Sequence, residues 1–492
     1  MRSQVLTVAA AALIIATTAA TAQDTLEGRL ELAWGDPLPR EVQGRAASLR
    51  PLPPQFRVTL VADDGSRIAL DPAQALAAAD DLHALGGRRV AVALSPAPAR
   101  DPSPVRIDAI VHADAGDLGP AAVLGNTVWR TIACRFADIA TEQKPLSFFQ
   151  GQYGTGQGQL DHYWREVSHG KIHLTGSSAH GWYTLPHPRS HYVTGTGQGA
   201  ANLSALFTDC VGVADPHVDF ATNGGVQGIN MMFNGDLDGY AWGGSRCATL
   251  DGINKCWSTT WNPPWSFNNL SPLAHEMGHG YGLPHANNSD GDNDPYDNPW
   301  DVMSSAWHNA GNDPVYGSVA KHINSWHRDR LGWVDAARKL EVQAGQWLIA
   351  QRLDRAGLAN SVNPQMIVVR RPGDPSSRYW TVETRRRVGY YESSLAGNAV
   401  IIHSIDTGRS TPAQSVDADV PPATLSNNEG SMFKPGETWT APDGSFRIRV
   451  WPADGDAFTV SVCGPAPTLE RPRKSDRCMI GPVFIGPPSP PR

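Results

Sequence analysis

The sequence predicts a multidomain α+β protein, with a mixed central region between two β-rich regions. A chain of 492 residues exceeds the usual size of one compact domain, so two or three domains are expected. Apolar residues make up 41% and charged residues 18% of the chain, which is typical of a folded, soluble protein. Strand-like runs between turn clusters fill both ends, whereas the middle alternates helical and strand-like spacing.

The first 22 residues predict a secretory signal peptide. Arg2 precedes an apolar run from Val5 to Ala16, and Ala20-Thr21-Ala22 is a small-residue cleavage site. The apolar run is too short to cross a bilayer comfortably, and no later segment is long enough. We expect a secreted, extracellular or periplasmic protein without integral membrane association; an uncleaved anchor is the alternative.

Net charge and cysteines narrow the class of protein further. A formal net charge of −7 does not favour nucleic acid or an anionic membrane as partner. Six cysteines, none with zinc-finger spacing, fit an oxidising compartment. Short separations favour two local pairs and leave the other two cysteines together: Cys247 with Cys256, Cys463 with Cys478, and Cys134 with Cys210.

Residues 23–115 predict a small β-rich, OB-like domain. Asp63-Asp64-Gly65 is typical of a turn between strands, and 72–85 is alanine-rich with helical spacing. Residues 116–125 contain Asp, Gly and Pro without periodicity and predict a linker. The predicted strands of this domain are 26–34, 56–62, 89–94 and 105–111.

The central region, 126–335, is expected to alternate strands and helices. The run 228–233 predicts the strand before the next helix, an edge on which an extended peptide could pair. The other predicted elements are strands at 127–136, 171–176 and 181–185 and helices at 158–167 and 201–213.

A histidine motif, HEMGHGYGLPH, begins at His275 and predicts a metal site on a helix. His275 and His279 differ by four positions, so they lie on one helical face about one turn apart. Glu276 lies beside the first ligand and can take a proton from a water that the metal activates. Gly282 can adopt the left-handed conformation that ends a helix, so His285 can return as third ligand.

Ser271-Pro272 predicts the start of this helix, as a capping hydroxyl followed by proline at the first helical position. For a bare H-E-x-x-H, ordinary surface or core histidines would remain a serious alternative. Gly282 and His285 complete a longer pattern and favour the metal site.

Residues 336–465 predict an all-β sandwich or jelly roll, and 466–492 a proline-rich tail. Glycan or matrix binding is open for this domain, but support of the central domain is the simpler expectation. The predicted strands are 346–350, 366–370, 380–384, 399–404, 445–451 and 457–462.

The pattern H-E-x-x-H-x-x-G-x-x-H resembles the zinc signature of the metzincin metalloproteases, in which a methionine turn follows the motif. Met303, in Asp301-Val302-Met303-Ser304, is the candidate turn residue. HEMGHGYGLPHA, PWDVMS and Leu331-Gly332-Trp333 are most similar to the gametolysin-type secreted peptidases. The resemblance covers the catalytic region well and the flanking domains loosely.

The resemblance implies a metzincin-like, zinc-dependent endopeptidase that acts on proteins or peptides; we expect a monomer. One catalytic Zn²⁺ would be held by His275, His279 and His285, with Met303 packed beneath the imidazoles without coordinating. Zinc in such a site lowers the pKa of a water towards about 7, and Glu276 would take its proton and pass it to the leaving amine.

Some metzincins have an oxyanion-supporting tyrosine two residues after the turn methionine. That position is Ser305 here, which puts the role in doubt and leaves Tyr316 as a candidate.

Ahead of a peptidase, residues 23–115 predict a propeptide that covers the cleft until it is removed; a permanent accessory domain is the alternative. No cysteine lies between Gln23 and Ala133, so a cysteine latch is excluded in this segment. An aspartate or a backbone carbonyl could block the metal instead.

Two other parts of the sequence contain residues that could bind a metal. Acidic clusters at 287–301 and at Asp236 and Asp238 could hold Ca²⁺ in oxygen ligands, but their order departs from the EF-hand and a solvated loop fits as well. A histidine-rich stretch lacks the spacing of a preformed zinc site, so surface or core histidines are favoured there. These histidines are His162, His169, His173, His180, His187 and His191.

Two other functions remain open. An exported binding protein for glycans or matrix proteins could carry a structural zinc, although a structural site normally closes its fourth position with a protein ligand and does not require Glu276. A zinc hydrolase acting on a non-peptide amide is also chemically allowed.

Overall fold

The computed structural model describes residues 24–38, 52–96, 105–114, 121–197, 199–222, 225–291, 294–419, 429–466 and 478. The predicted signal peptide, most of the predicted tail and part of the linker lie outside these residues. Strands make up 38% and helices 19% of the structure, in several sheets, which confirms the multidomain α+β class at this level. In the described part, every helix is too short or too polar to cross a bilayer.

The N-terminal region is β-rich, as predicted, with one strand more than expected. The helix expected over 72–85 is two short pieces, because Asp71 and Asp81 each accept a backbone N–H and start a separate turn. In order, the elements are β1 (Asp24–Pro37), β2 (Gln55–Ala62), β3 (Arg67–Leu70), α1 (Pro72–Ala77), a 3₁₀ helix (Leu82–Leu85), β4 (Arg89–Pro96) and β5 (Val105–His112).

The central region supplies most of the helices. They are α2 (Leu146–Gln152), α3 (Leu160–Val167), α4 (Arg189–Tyr192), α5 (Leu203–Ala214), a 3₁₀ helix (Asp215–His217), α6 (Pro264–Phe267) and α7 (Leu270–Gly280). Its strands are β6 (Gly125–Asn126), β7 (Trp129–Arg135), β8 (Ile172–His173), β9 (Ser178–Thr184), β10 (Gly228–Phe233), β11 (Tyr240–Leu250) and β12 (Ile253–Asn262).

One large sheet joins the two regions. Strands β9, β7, β10 and β12 lie side by side in parallel, and β11 pairs antiparallel with β12. On its other side, β11 pairs antiparallel with β1 over Ala33–Pro37. The N-terminal region therefore continues the central sheet beyond β11.

The predicted edge role of 228–233 is wrong. These residues form β10, which is buried throughout and lies between β7 and β12. The strand beside α7 is β11, and its hairpin with β12 was missed although Asp251-Gly252 is a standard two-residue turn signal. Both turn residues have positive φ, of 46° and 79°.

The three disulfides are the pairs that sequence separation favoured. Cys247 and Cys256 lie opposite each other across β11 and β12. The Cys134–Cys210 bridge ties β7 to α5. Disulfides are typical of exported proteins, which agrees with the predicted signal peptide.

The C-terminal region contains two sheets that share one hydrophobic core, as in a sandwich. The elements after α7 are β13 (Ala286–Asn288), β14 (Gly311–Asp313), β15 (Gly317–Val319), α8 (Ser325–Arg330), a 3₁₀ helix (Ala336–Arg338), β16 (Lys339–Gln343), β17 (Leu348–Asp354), β18 (Met366–Arg370), β19 (Arg378–Arg385), α9 (Gly389–Glu392), β20 (Ala399–Asp406), β21 (Ala413–Ser415), a 3₁₀ helix (Glu429–Ser431), β22 (Thr438–Thr440), β23 (Arg447–Asp454) and β24 (Ala457–Cys463).

The two sheets have the orders β13-β21-β20-β19-β18-β16 and β17-β24-β23-β22. Strand β13 follows the histidine motif directly and pairs in parallel with β21. The C-terminal sheet therefore reaches into the predicted central domain and holds the chain just after His285.

Candidate metal centre

Helix α7 carries the first two predicted ligands and starts earlier than expected. Asn269 is the N-cap residue, so Ser271 and Pro272 lie inside the first turn. The predicted capping role of Ser271 is wrong, because its hydroxyl donates to the carbonyl of Ala306. Pro272 is tolerated because the first N–H groups of a helix have no partner within it.

The end of α7 turns the chain as predicted. Gly282 has φ +87°, the left-handed conformation in which only glycine avoids a steric penalty. The Leu283 N–H donates to Gly278 O and the Gly282 N–H to His279 O, at 3.0 and 2.9 Å. This pair of hydrogen bonds is a Schellman motif, and it directs His285 back over the helix.

Three imidazole nitrogens meet at one point. His279 Nε2 lies 3.1 Å from His275 Nε2 and 3.2 Å from His285 Nε2. Ligand atoms of a tetrahedral site with bonds of about 2.1 Å are roughly 3.4 Å apart. The structure therefore brings the three predicted ligands together at nearly that spacing.

Hydrogen bonds orient these rings. His275 Nδ1 lies 2.6 Å from Val302 O, and His279 Nδ1 lies 2.7 Å from Leu283 O. A carbonyl oxygen can only accept, so each Nδ1 donates and each Nε2 directs a lone pair at the common point. Burial also lowers the pKa of His279 to about 3, so this ring is neutral and competent to bind a metal.

A fourth side chain, which the sequence did not identify, completes the group. Asp36 Oδ1 lies 2.6 Å from His285 Nε2 and 3.3 Å from His275 Nε2, and its Oδ2 lies 3.3 Å from His279 Nε2. Burial alone would raise the pKa of Asp36, but His285 and His275 outweigh it and hold the pKa well below its usual range. Asp36 is therefore an ionised carboxylate in a buried site.

This donor set fits a divalent cation. Lone pairs that converge on one point repel each other, and a buried carboxylate is costly without a positive partner. A metal ion at the common point removes both costs. Asp36, His275, His279 and His285 are the one group of this kind found among the residues that the structure describes.

Glu276 lies beside the imidazoles and is almost fully buried. Within the described chain, its Oε2 has no hydrogen-bond partner. A Cβ added to Gly243 of β11 would lie 2.9 Å from this oxygen and 2.4 Å from the Glu276 carbonyl. Burial, and then the charge of Asp36, raise the pKa of Glu276 well above its usual value, which makes this carboxylate a stronger base than an exposed one.

The tyrosine at this centre is Tyr296, which the sequence did not suggest. Its hydroxyl donates to Asp36 Oδ1 at 2.7 Å, and its ring centroid lies 5.5 Å from that of His285. The Tyr316 hydroxyl instead meets Gln159 Nε2 at 3.3 Å, and Ser305 pairs with His308. The sequence around Tyr296 does not mark it as a site residue, because it lies in an irregular acidic segment without a motif.

Met303 lies under the helix, in the predicted turn. Its sulfur is so close to Gly278 that a Cβ added there would lie 2.3 Å from Sδ. Asp301 fixes the turn, since its Oδ1 accepts the Met303 N–H at 2.7 Å and its Oδ2 lies 2.7 Å from His327 Nδ1. Lys321 Nζ donates to the carbonyl of Ser305 in the same turn. His327 and Lys321 were not identified from the sequence.

We expect the Asp301–His327 pair to make the protein acid-labile. Burial would raise the pKa of Asp301, but His327 lowers it to about 2, against a usual value of 3.8. A depressed carboxyl pKa stabilises the fold above the unfolded-state pKa, and the contribution, about 2 to 3 kcal/mol, disappears as pH falls from about 4 to about 2. Denaturant unfolding at pH 7, 4 and 2 measures it.

The matched variants are Asp301→Asn and, at an exposed carboxylate, Asp24→Asn. Asp301→Asn should lower the free energy of unfolding at pH 7 by about 3 to 5 kcal/mol, because it breaks a buried pair, and should flatten the pH dependence. Asp24→Asn should behave like the wild type. Equal acid sensitivity in all three proteins would contradict the assignment.

Several of the other candidate metal ligands have protein partners in the described chain. His169 Nε2 forms a hydrogen bond with the Ala356 carbonyl, and His162 Nδ1 forms one with the Tyr391 hydroxyl. Asp238 accepts from the Trp242 indole, whereas Asp292 lies outside the described residues. The calcium prediction stays a prediction.

Neither a scan against protein-family models nor a search of curated proteins found a match to this chain. Functional inference therefore depends on the sequence motif and on the geometry of the metal centre.

Proposed function

We propose that the chain is a zinc-dependent endopeptidase of the metzincin type, most similar to the gametolysin-type secreted enzymes. The observation that carries this proposal is Glu276: a buried carboxyl beside three converging imidazoles, with an oxygen that accepts no hydrogen bond from the described residues. A purely structural metal site has no use for such a group. An unsatisfied buried carboxyl is retained where it handles a proton.

Each residue has a distinct task in the proposed reaction. His275, His279 and His285 would hold the zinc, which would supply Lewis-acid activation of a water and of the scissile carbonyl. Glu276 would accept a proton from the attacking water and deliver it to the nitrogen of the leaving amine. Hydrogen bonds to Val302 and Leu283 keep two rings in the tautomer that binds metal.

The substrate would be an extended peptide paired antiparallel to β11, on the side of this strand that β1 occupies in the full chain. This strand lies beside α7, and its backbone approaches Glu276 closely because residue 243 is glycine. A sheet edge supplies main-chain hydrogen bonds to any extended sequence, so affinity would depend little on side chains. Unstructured protein segments are therefore the expected substrate class.

We predict that Tyr296 supports the oxyanion of the reaction. Its hydroxyl donates to a carboxylate oxygen that occupies the metal centre, and it could donate in the same way to a negatively charged substrate oxygen. Tyr296→Phe should reduce kcat on the order of a hundredfold with little change in KM, as for loss of one oxyanion donor. Tyr316→Phe is the matched control, and an equal loss in both variants would contradict the role.

The proposal is tested by metal dependence on an unstructured substrate. The protein, with residues 23–125 removed, is assayed for zinc content and for casein cleavage, then chelated and resupplied with zinc. We expect about one zinc per chain, cleavage that stops on chelation, and recovery on resupply. One zinc per chain without cleavage of casein or of a mixed peptide library would reject the peptidase.

A second candidate is an exported binding protein with a structural zinc. One observation favours it: Asp36 lies at the three imidazoles and would supply a fourth protein ligand, which would close the coordination sphere as in structural sites. The two candidates differ in whether Asp36 is a permanent ligand.

A further inference from the structure

A cavity of about 550 Å³ lies between the N-terminal region and the start of α5. One wall is the face of β1, β2 and β3 that points away from the N-terminal hydrophobic core. Side chains alternate between the two faces of a strand, so Leu30, Leu32 and Val58 fill the core and their neighbours line the cavity. These neighbours are Glu31 and Ala33 of β1, Arg57 and Thr59 of β2, and Arg67 and Ala69 of β3.

The opposite wall belongs to the central region. Asn202 is the N-cap residue of α5 and lines the cavity together with Leu203 and Ser204. The first N–H groups of a helix have no partner within it and carry partial positive charge. Arg246 of β11 lies on the same wall. The helix end and Arg246 therefore both favour negative charge on this side of the cavity.

Positive side chains outnumber negative ones in this cavity. Glu31 is the one carboxylate among the described residues that line it, and two guanidinium groups share it. Glu31 Oε2 contacts Arg67 Nη2 and lies 3.7 Å from Arg246 Nη1. Its Oε1 accepts the Cys247 N–H at 2.5 Å, which fixes the carboxylate in place. Burial, and at Arg67 also the charge of Arg246, lowers the pKa of both guanidinium groups to about 10, so their positive charge is incompletely balanced.

Arg57 is the third guanidinium group, and it lacks an ion pair within the described chain. Its Nη2 is buried and donates no hydrogen bond to the residues that the structure describes. The group lies 4.1 Å from the centroid of the Trp242 ring, which holds it at the cavity wall. The charge of Asp238 acts on it, but the Asp238 carboxylate accepts from the Trp242 indole and the Ala201 N–H, at 3.1 and 3.3 Å. A buried guanidinium without an acidic partner costs free energy, and an anion would remove that cost.

The two positive centres are separated along the sheet. In the pairing of β1 with β2, Arg57 lies opposite Ala33. Glu31, which Arg67 and Arg246 share, is two residues earlier on β1, or roughly 7 Å along the strand. A ligand that reaches both centres therefore needs two acidic groups joined by a spacer.

We propose that this cavity binds an organic anion with two carboxylate groups, one held by Arg57 and the other by Arg67 and Arg246. Three guanidinium groups against one carboxylate leave an excess of two positive charges, which matches a dianion. Arginine presents parallel N–H donors that fit a carboxylate. The volume lies in the range of small-molecule sites, about 300–1,000 Å³, so it has room for the carbon chain between the two groups.

The test is calorimetric titration of the full chain with glutarate, a flexible dicarboxylate, supported by thermal unfolding. Pentanoate, which has the same carbon chain with one carboxylate, is the matched ligand, and ionic strength is held constant. Wild type should bind glutarate on the order of tenfold more tightly than pentanoate, because hydrogen bonds to charged groups contribute to affinity. Glutarate should also raise the Tm. Equal affinities for the two ligands, or neither heat nor a rise in Tm with glutarate, would overturn the proposal.

Arg57→Gln is the decisive variant, because its removal leaves no ion pair broken. It should weaken glutarate binding on the order of tenfold and bring glutarate and pentanoate to similar affinity. Arg106→Gln, at an exposed arginine outside the cavity, is the matched control and should bind like the wild type. Unchanged glutarate binding in Arg57→Gln, or an equal loss in both variants, would contradict the site.

Glu31→Gln tests the second carboxylate position in the opposite direction. Glutamine keeps an acceptor for the Cys247 N–H but removes the negative charge that competes for Arg67 and Arg246, so glutarate should bind several-fold more tightly. Unchanged or weaker binding would place the ligand elsewhere and overturn the proposal. These measurements involve neither zinc nor cleavage, so their failure and the failure of the proposed peptidase function are independent.

Discussion

Replacing Glu276 by glutamine should abolish peptide cleavage while the protein keeps its metal. Glutamine has nearly the same size but cannot accept a proton, so the loss should approach the upper end of general-base effects, about 10²–10⁴ in kcat. Glu276 is not among the converging ligands, so metal content should be unchanged. Casein cleavage and zinc content, measured with residues 23–125 removed, test both statements.

Stability separates a catalytic role of Glu276 from a structural one. Glu276 is buried and close to the charge of Asp36, which raises its pKa well above the usual value. Removing a buried acid of this kind should leave the Tm of the full chain unchanged or higher. Glu142→Gln, at an exposed glutamate, is the matched control for activity. A large fall in the Tm of Glu276→Gln would indicate that its lost activity reflects misfolding.

The parts of the site that the sequence predicted are local in the chain. His275 and His279 follow from helical spacing, and the return of His285 follows from the positive φ of Gly282. Local backbone geometry fixes these positions without any distant contact. The helix start was misplaced because Ser271 has a competing partner, the Ala306 carbonyl, which lies far along the chain.

Asp36 and Tyr296 could not be predicted in the same way. Asp36 lies 249 residues before His285, and it reaches the histidines only through the register of β1 on β11. Neither strand carries a local signal for that register. The sequence left open whether an aspartate or a carbonyl would face the metal site, and the pairing of the two strands places Asp36 there.

The β-rich regions show the same division between local pattern and distant pairing. The run at 366–370 is β18 as predicted, because alternation and turn residues mark a strand along the chain. The pairing of β13 with β21 joins residues 286–288 to 413–415 and was not predicted. Strand existence is encoded locally, whereas the choice of partner depends on how whole regions pack.

Replacing His275 by alanine should remove the metal from the protein. Structural zinc sites bind with about 10–16 kcal/mol, or roughly 3–4 kcal/mol for each ligand, so one missing imidazole should weaken binding on the order of a thousandfold. Alanine is the best helix former, so α7 should persist. The substitution also leaves the Val302 carbonyl without its donor and removes one of the three imidazoles that face Asp36.

Metal content after dialysis against a weak chelator measures this loss, and thermal unfolding with and without added zinc measures its consequence. Wild type should gain stability when zinc is added, because a ligand that binds only the folded state stabilises it, whereas His275→Ala should gain almost none. His217→Ala, the same change at an exposed histidine, should behave like the wild type. If His275→Ala kept one zinc with unchanged affinity, the converging imidazoles would not be the metal's ligands, and the proposed zinc-dependent reaction would be rejected.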